Sequence, residues 1–296
     1  MSLIKGPTRW VLFLAARGEP EIRHILDLAF GLYCLEAAGV AQSNIAIYVD
    51  GVDRQLISQL IGSGTSNTYV VKTSTDFFSD QQQNTHENLV MFVTGHGSIN
   101  GIDAPNPIRP YPLLKAVKDS PNLVQAVLYL GQCHAGIFNY IGAGRVVVGS
   151  SKPDPNVIII GATSLHESVS ASTNEQLGSG PLSWLANVFL LHLFKWISAP
   201  IDVDGDGKAT VIDSFKYAGA MANGANKNVK MTTFHQSFDL RLKYTMAEQT
   251  HLVQQTLASD IALQAARTQY LNVMDVGHIH QESWILNAIP AQTIEF

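Results

Sequence analysis

Residues 122–136 decide the fold, and they read NLVQAVLYLGQCHAG. An apolar run of strand length ends there at Cys133. An earlier run of the same form, residues 88–97, reads NLVMFVTGHG and ends at His96. Continuous apolar runs that stop at glycine are typical of buried parallel strands. The two stretches therefore predict strands that each deliver one reactive side chain to the loop that follows.

Composition limits the classes of protein that this chain can represent. It has 296 residues, 46% of them hydrophobic and 15% charged, with a formal net charge of −5. A basic cluster is missing, so we expect no nucleic-acid partner. The apolar runs are shorter than the roughly 20 residues that cross a membrane, so we expect no membrane segment. Only Cys34 and Cys133 are cysteines, which favours a reducing compartment, the cytoplasm.

The N-terminal part alternates strands with helices. Further apolar runs predict strands at residues 9–16, 45–49 and 157–162. Apolar residues spaced by three and four predict helices at residues 21–38, 52–62 and 111–119. Apolar strands that alternate with amphipathic helices indicate a mostly parallel sheet covered on both faces. The expected fold is a three-layer α/β/α fold.

The pattern becomes more helical after residue 175. A long apolar helix is predicted over Leu182–Ile197, and another helical stretch over residues 245–270. Ser283–Leu286 are predicted to form an edge strand, and His278 and His280 to alternate along an edge strand. We expect a catalytic domain over residues 1–200, with residues 201–296 as a helical elaboration packed on it.

The two strand ends supply residues for nucleophilic catalysis. In an open parallel sheet, functional groups gather at the carboxyl ends of the strands. The Cys133 thiol attacks as a thiolate, and His96 can hold its proton and later donate it to a leaving amine. The N–H groups of Gly97 and Cys133 are the candidates for an oxyanion hole. The competing interpretation makes Cys133 a structural thiol and His96 an ordinary loop histidine.

A block ending in His-Gly, followed by a block ending in Cys, resembles clan CD of the cysteine peptidases, which includes caspases and legumains. Three segments are similar to legumains in particular: Arg23-His24, residues 37–50 and residues 161–168. The resemblance implies the caspase-hemoglobinase fold and a bacterial-type caspase-like thiol protease. It implies His96 and Cys133 as the catalytic dyad, with Gly97 as an oxyanion donor. It also implies substrate-binding roles for Arg23, His24 and Ser168.

Three positions depart from the legumain pattern. Glu21 stands where legumains have Asn, Gly131 replaces a pocket Glu, and residues 177–180 contain no acid. A pocket that keeps Arg23 and loses the carboxylates favours an anionic partner. We therefore expect an endopeptidase that cleaves after Asp or Asn, with Asp preferred.

Two alternatives from other classes stay open. Gly131-Gln132-Cys133 resembles the nucleophile elbow of class I glutamine amidotransferases, although residue 135 is Ala and His166 is followed directly by Glu167. A caspase-like fold can also act as a non-catalytic scaffold or signalling module. Residues 245–296 would then bind a regulatory partner.

Residues 202–213 read DVDGDGKATVID, which matches an EF-hand-type calcium loop. Acids stand at loop positions 1, 3, 5 and 12, Gly stands at position 6, and position 7 offers a carbonyl. The predicted Ca²⁺ ligands are Asp202, Asp204, Asp206, the Lys208 carbonyl and Asp213. Flanking helices are predicted at Leu185–Ile197 and Ile212–Ala220. The alternative is a solvated turn, and no organic cofactor is expected.

Overall fold

The computed structural model describes residues 2–140, 142–143, 154–279 and 281–296. The chain divides into two compact units. Unit 1 comprises Met1–Ala222 and Gln281–Phe296, and unit 2 comprises Asn223–His280. The division lies after residue 222 instead of residue 200, so the Asp-rich loop at 202–213 belongs to unit 1 together with the strand ends.

A parallel sheet forms the centre of unit 1. The described strands are β1 (Thr8–Leu14), β2 (Ile45–Val49), β3 (Val71–Lys72), β4 (Asn88–Thr94), β5 (Gly97–Ser98), β6 (Gly101–Ile102), β7 (Gln125–Leu130), β8 (Asn156–Gly161), β9 (Ser170–Leu177), β10 (Gly180–Asn187) and β11 (Trp284–Leu286). Seven of them form one sheet in the order β11-β8-β7-β4-β1-β2-β3, in which only β11 runs antiparallel. The central strands are buried almost throughout, as expected for strands covered on both faces.

Helices cover both faces of this sheet. The described helices are α1 (Ile22–Ala37), α2 (Arg54–Gly62), α3 (Ser74–Gln81), α4 (Pro110–Lys118), α5 (Val188–Ser198), α6 (Val211–Gln254), α7 (Leu257–His278) and α8 (Ala288–Ala291). On one face α1 packs against α5, whose Phe194 ring centroid lies 4.8 Å from that of Phe92 in β4. On the other face Phe77 of α3 and Leu113 of α4 join the core with Val11 of β1. The predicted three-layer α/β/α fold is confirmed.

The prediction of one helix over Leu182–Ile197 is wrong for its first six residues. Gly180–Asn187 form β10, which pairs antiparallel with β9. The α5 helix begins only at Val188, because the Asn187 side chain accepts a hydrogen bond from the Leu190 N–H at 3.0 Å and caps the helix. The β9 strand reads SASTNEQL and contains no apolar run, so it escapes prediction from sequence.

The predicted C-terminal edge strand is confirmed, whereas the prediction that His278 lies on an edge strand is wrong. The β11 strand pairs with β8 at the edge of the sheet. His278 is the last residue of α7, so its backbone is helical and not extended. His280 lies outside the described residues. Within the described part of the chain, no helix is both long enough and apolar enough to cross a membrane.

Unit 2 contains the C-terminal part of α6 and all of α7. The two helices are separated at Gln255, which has a φ of 46°. Along α6, exposed apolar side chains recur at spacings of three and four: Met231, Phe234, Phe238, Leu242 and Met246. A regulatory partner for this part of the chain stays a prediction.

Candidate active site

The loops after β4 and β7 lie side by side at the carboxyl edge of the sheet. The strand register pairs Val93 with Leu130 at the end of the ladder, so the loops that carry His96 and Cys133 leave neighbouring strands at the same level. The loops approach each other closely at Gly97, where a Cβ atom would lie 2.2 Å from the Cys133 carbonyl oxygen. Only glycine permits such an approach between backbones. The structure thus brings together the loops that carry the two predicted catalytic residues and the predicted oxyanion donor.

Cys133 carries a half-buried, free thiol. Its Sγ accepts a hydrogen bond from the Ser168 N–H at 3.3 Å. Burial raises the pKa of Cys133, and the Glu167 charge adds to the rise, while the Ser168 hydrogen bond and the Arg23 charge oppose it. The thiol is therefore protonated at rest, and it needs a base before it can attack an electrophile.

The backbone turns sharply directly after the thiol. His134 has a φ of 54°, in the left-handed region that residues other than glycine rarely adopt. Its N–H donates to the His166 carbonyl at 2.8 Å, and the Gly136 N–H donates to the Ser164 carbonyl at 2.9 Å. These bonds hold the strained turn against the segment that follows β8. Strain of this kind concentrates at functional sites, where the surrounding structure maintains it.

Glu21 is a residue of the candidate site that sequence reasoning missed. Its Oε1 lies 2.6 Å from the His96 Nε2, and its Oε2 accepts a hydrogen bond from the Arg23 Nε at 2.5 Å. The hydrogen bond from Arg23 lowers the pKa of Glu21 to about 2, against the opposing effect of burial and with a further contribution from His96. An ionised carboxylate thus holds the imidazole by Nε2. A departure from the legumain pattern was the only sequence signal for this residue.

The predicted substrate-binding residues take different places. Arg23 is a quarter exposed, and its Nη1 donates to the Ser170 Oγ at 3.0 Å. Ser168 contacts the thiol through its N–H, as described above. His24 has 4% of its surface exposed, and its ring centroid lies 5.1 Å from that of His96 in an edge-to-face arrangement. Its burial places His24 beneath His96 instead of along the wall of an open pocket.

A buried polar cluster connects the two strand ends to α1 and α5. The Asp27 carboxylate accepts hydrogen bonds from the Thr94 Oγ1 at 3.0 Å, the Trp184 Nε1 at 2.9 Å and the Asn187 N–H at 3.1 Å. The Asn187 Nδ2 in turn donates to the Gly131 carbonyl at 2.6 Å, two residues before the thiol. Buried polar groups with satisfied partners fix a unique arrangement. This cluster therefore helps to hold the ends of β4 and β7 in place.

The packing at Gly131 explains why a pocket glutamate is missing there. A Cβ atom at this position would lie 2.6 Å from the Leu190 Cδ1 and 3.0 Å from the Val93 carbonyl oxygen. Helix α5 thus occupies the space that a longer side chain would need. The second expected acid position falls in the turn between β9 and β10, where the Ser179 N–H donates to the Ser63 carbonyl at 3.0 Å.

Three of the predicted calcium ligands come together. Asp202, Asp204 and Asp206 each offer a carboxylate oxygen within 4.8 Å of the others. The Asp202 carboxylate accepts hydrogen bonds from the N–H groups of Gly205 and Gly207, at 2.6 and 2.7 Å, which winds the loop around it. These three acids fit a cation that prefers oxygen ligands.

The fourth predicted carboxylate, Asp213, is engaged elsewhere. It is fully buried, and its oxygens accept hydrogen bonds from the N–H groups of Val203, Asp204 and Thr210. Burial acts to raise the pKa of Asp213, but these bonds lower it overall. Asp213 therefore caps the start of α6. The Lys216 Nζ also lies 2.7 Å from Asp204 and would compete with a bound cation.

Comparison with known proteins does not identify a family for this chain. A scan against protein-family models and a search of curated proteins found no match for this chain. The function is therefore inferred from the site.

Proposed function

We propose that the chain is a cysteine endopeptidase of the clan CD type, most like the legumains, with His96 and Cys133 as its catalytic dyad. The observation that carries the proposal is the close approach of Gly97 to the Cys133 carbonyl at the carboxyl edge of the sheet. It supports a shared site for a thiol and an imidazole that the chain delivers from neighbouring parallel strands.

The mechanism follows from the protonation state of the thiol. His96 takes the Cys133 proton as the sulfur attacks the peptide carbonyl, and the carbonyl π electrons move onto oxygen. The N–H groups of Gly97 and Cys133 stabilise that oxyanion. The tetrahedral intermediate then expels the amine, which takes the proton from His96, and a thioester remains. Water adds to the thioester, again with His96 as base, and releases the acid product and the thiol.

Arg23 supports cleavage after Asp or Asn. Its guanidinium is partly exposed, and its Nε and Nη1 are engaged by Glu21 and Ser170. The remaining Nη2 can donate to the side-chain oxygen of either residue type. The adjacent Glu21 carboxylate weakens the preference of the site for Asp over Asn, since it offsets part of the Arg23 charge.

The Asp-rich loop supports a Ca²⁺ site as a second part of the proposal. Asp202, Asp204 and Asp206 would hold the ion, with the Lys208 carbonyl as a further oxygen ligand. Asp213 would act through the helix cap. We also assign the protein to a reducing compartment, the cytoplasm, on the basis of its two free thiols.

The experiment that tests the peptidase is labelling combined with cleavage. A peptide acyloxymethyl ketone with Asp or Asn before the warhead should label the wild type at Cys133, and labelling should be lost in His96→Ala and Cys133→Ala. Cys34→Ala is the matched control, because burial raises the pKa of Cys34 to about 12 and keeps that thiol unreactive.

A peptide library then measures cleavage by the same variants. Cleavage after Asp or Asn that disappears in Cys133→Ala supports the proposal. Absence of both labelling and cleavage in the wild type would favour the non-catalytic scaffold, and release of ammonia from glutamine would favour the amidotransferase. Cleavage only after Lys or Arg would reject the assigned specificity.

A further inference from the structure

Glu21, His24 and His96 form a cluster of possible metal ligands beside the thiol. Each residue offers a coordinating atom within 4.8 Å of those of the other two. Glu21 and His24 lie three residues apart at the start of α1, so both project from one side of the helix. His96 reaches the same place from the loop after β4. Imidazole and carboxylate together suit a transition metal better than Ca²⁺.

The His24 ring is an independent sign of a ligand. It is buried, its Nδ1 lies 3.3 Å from the Thr94 Oγ1 and 3.7 Å from the Asp27 Oδ2, and these groups fix its orientation. Its Nε2 is buried and has no hydrogen-bond partner among the described residues. A buried nitrogen left in this state is costly. Histidines that bind metal commonly have one nitrogen held by a carboxylate and the other free for the ion.

The other two ligands are already close together. The Glu21 Oε1 and His96 Nε2 are 2.6 Å apart, which is a hydrogen-bond distance and shorter than the usual separation of two atoms on one metal ion. Side chains that are about half exposed can move apart by the small distance that an ion requires. The Glu21 Oε2 keeps its bond to Arg23, so the carboxylate remains oriented.

We propose that Glu21, His24 and His96 bind Zn²⁺ through one carboxylate oxygen and two imidazole nitrogens. Two histidines and one glutamate are a common zinc ligand set, and they leave a fourth position for water. An ion on His96 Nε2 displaces the hydrogen bond that this nitrogen donates to Glu21, which orients the imidazole. Zn²⁺ therefore inhibits the peptidase reversibly, a consequence that rests on the proposed function. The metal site itself does not depend on that function.

The test uses the full chain, stripped of metal with a chelator. Co²⁺ serves as the spectroscopic probe, since tetrahedral nitrogen and oxygen coordination produces visible absorption bands, and Zn²⁺ should displace it stoichiometrically. Isothermal titration of Zn²⁺ gives the affinity. Glu21→Gln and His24→Ala should each weaken Zn²⁺ binding by at least about tenfold. His235→Ala, at an exposed position on α6, should leave binding unchanged.

Two further variants separate the possible outcomes. Cys133→Ala should retain Zn²⁺ binding, so the metal site is testable whether or not the chain is a peptidase. Glu21 is exposed, so Glu21→Gln covers the case in which His24→Ala does not fold, as judged by circular dichroism. Absence of Co²⁺ bands in the wild type would overturn the proposal. Equal Zn²⁺ affinity in wild type and Glu21→Gln would also overturn it.

Discussion

The Nε2 atom of His96 lies 2.6 Å from the Oε1 atom of Glu21, although the two residues come from different elements of the fold. Glu21 caps no backbone group of α1 with its side chain, so its carboxylate is free for this contact. The contact fixes the rotation of the imidazole through its Nε2 atom. Glu21 is therefore a positioning residue for the proposed dyad.

Removal of the Glu21 charge should slow the reaction more than it weakens substrate binding. We expect Glu21→Gln to lower kcat on the order of tenfold to a hundredfold, a part of what general acid–base catalysis supplies, with a smaller change in KM. Glu21→Ala should lose more, because Gln keeps an oxygen that can contact His96. Steady-state kinetics in chelator-treated buffer measures both constants. Glu248→Gln, at an exposed site on α6, is the control, and an unchanged kcat in Glu21→Gln would contradict the role.

The raised pKa of Cys133 predicts how its alkylation depends on pH. Burial favours the neutral thiol, and iodoacetamide reacts with the thiolate. In His96→Ala, labelling of Cys133 should be slow at neutral pH and should accelerate only above the ordinary thiol pKa of about 8.5. Mass spectrometry of the labelled peptide follows the rate. Fast labelling near pH 6 would show instead that the resting thiol is already ionised.

Asn187 should contribute strongly to stability through two separate bonds. Asn187→Ala removes the cap of α5, worth about 1 kcal/mol, and leaves the buried Gly131 carbonyl without its donor, which costs about 1–3 kcal/mol. The expected loss is thus about 2–4 kcal/mol in the free energy of unfolding. Asn187→Ser keeps an oxygen that can cap the helix and loses the Nδ2 donor, so it should fall between wild type and Asn187→Ala. Denaturant unfolding checks this order, and equal stability of all three chains would refute it.

Calcium should stabilise unit 1 if the Asp-rich loop binds it. At a free Ca²⁺ concentration 100-fold above Kd, the gain is about 2.7 kcal/mol, visible as a rise in Tm. Asp204→Asn should reduce that rise. Lys216→Met should increase the affinity, because the Lys216 ammonium now occupies an Asp204 oxygen. Calorimetric titration that detects no Ca²⁺ binding to either the wild type or Lys216→Met would remove the site.

Much of the sheet could be predicted from sequence because its strands are buried on both faces. Residues 89–93 and 126–130 are apolar without interruption, so the strand ends, and with them His96 and Cys133, can be located from the sequence pattern alone. The β9–β10 hairpin could not be located in this way, since β9 is half exposed and polar. The boundary between β10 and α5 could not be located from sequence either.

The residues that support the candidate site could not be predicted from sequence for a different reason. Glu21, Asp27 and Asn187 act through contacts between elements far apart in the chain, and such contacts leave no local spacing to detect. For Asp213, in contrast, the local spacing suggests a role that its contacts do not support. Its spacing fits a calcium ligand, but its oxygens are satisfied by backbone donors of the same loop.

The chain leaves unit 1 after Ala222 and re-enters it at Gln281, which accepts a hydrogen bond from the Val169 N–H at 2.7 Å and donates to the Ala162 carbonyl at 3.1 Å. Trp284 then covers Gly161 at the end of β8. Along the chain, unit 2 thus lies between two segments of unit 1, and both of its ends continue into unit 1. Because loop closure depends only weakly on length, such a unit can be lengthened, shortened or exchanged while the sheet and its edge strand are retained.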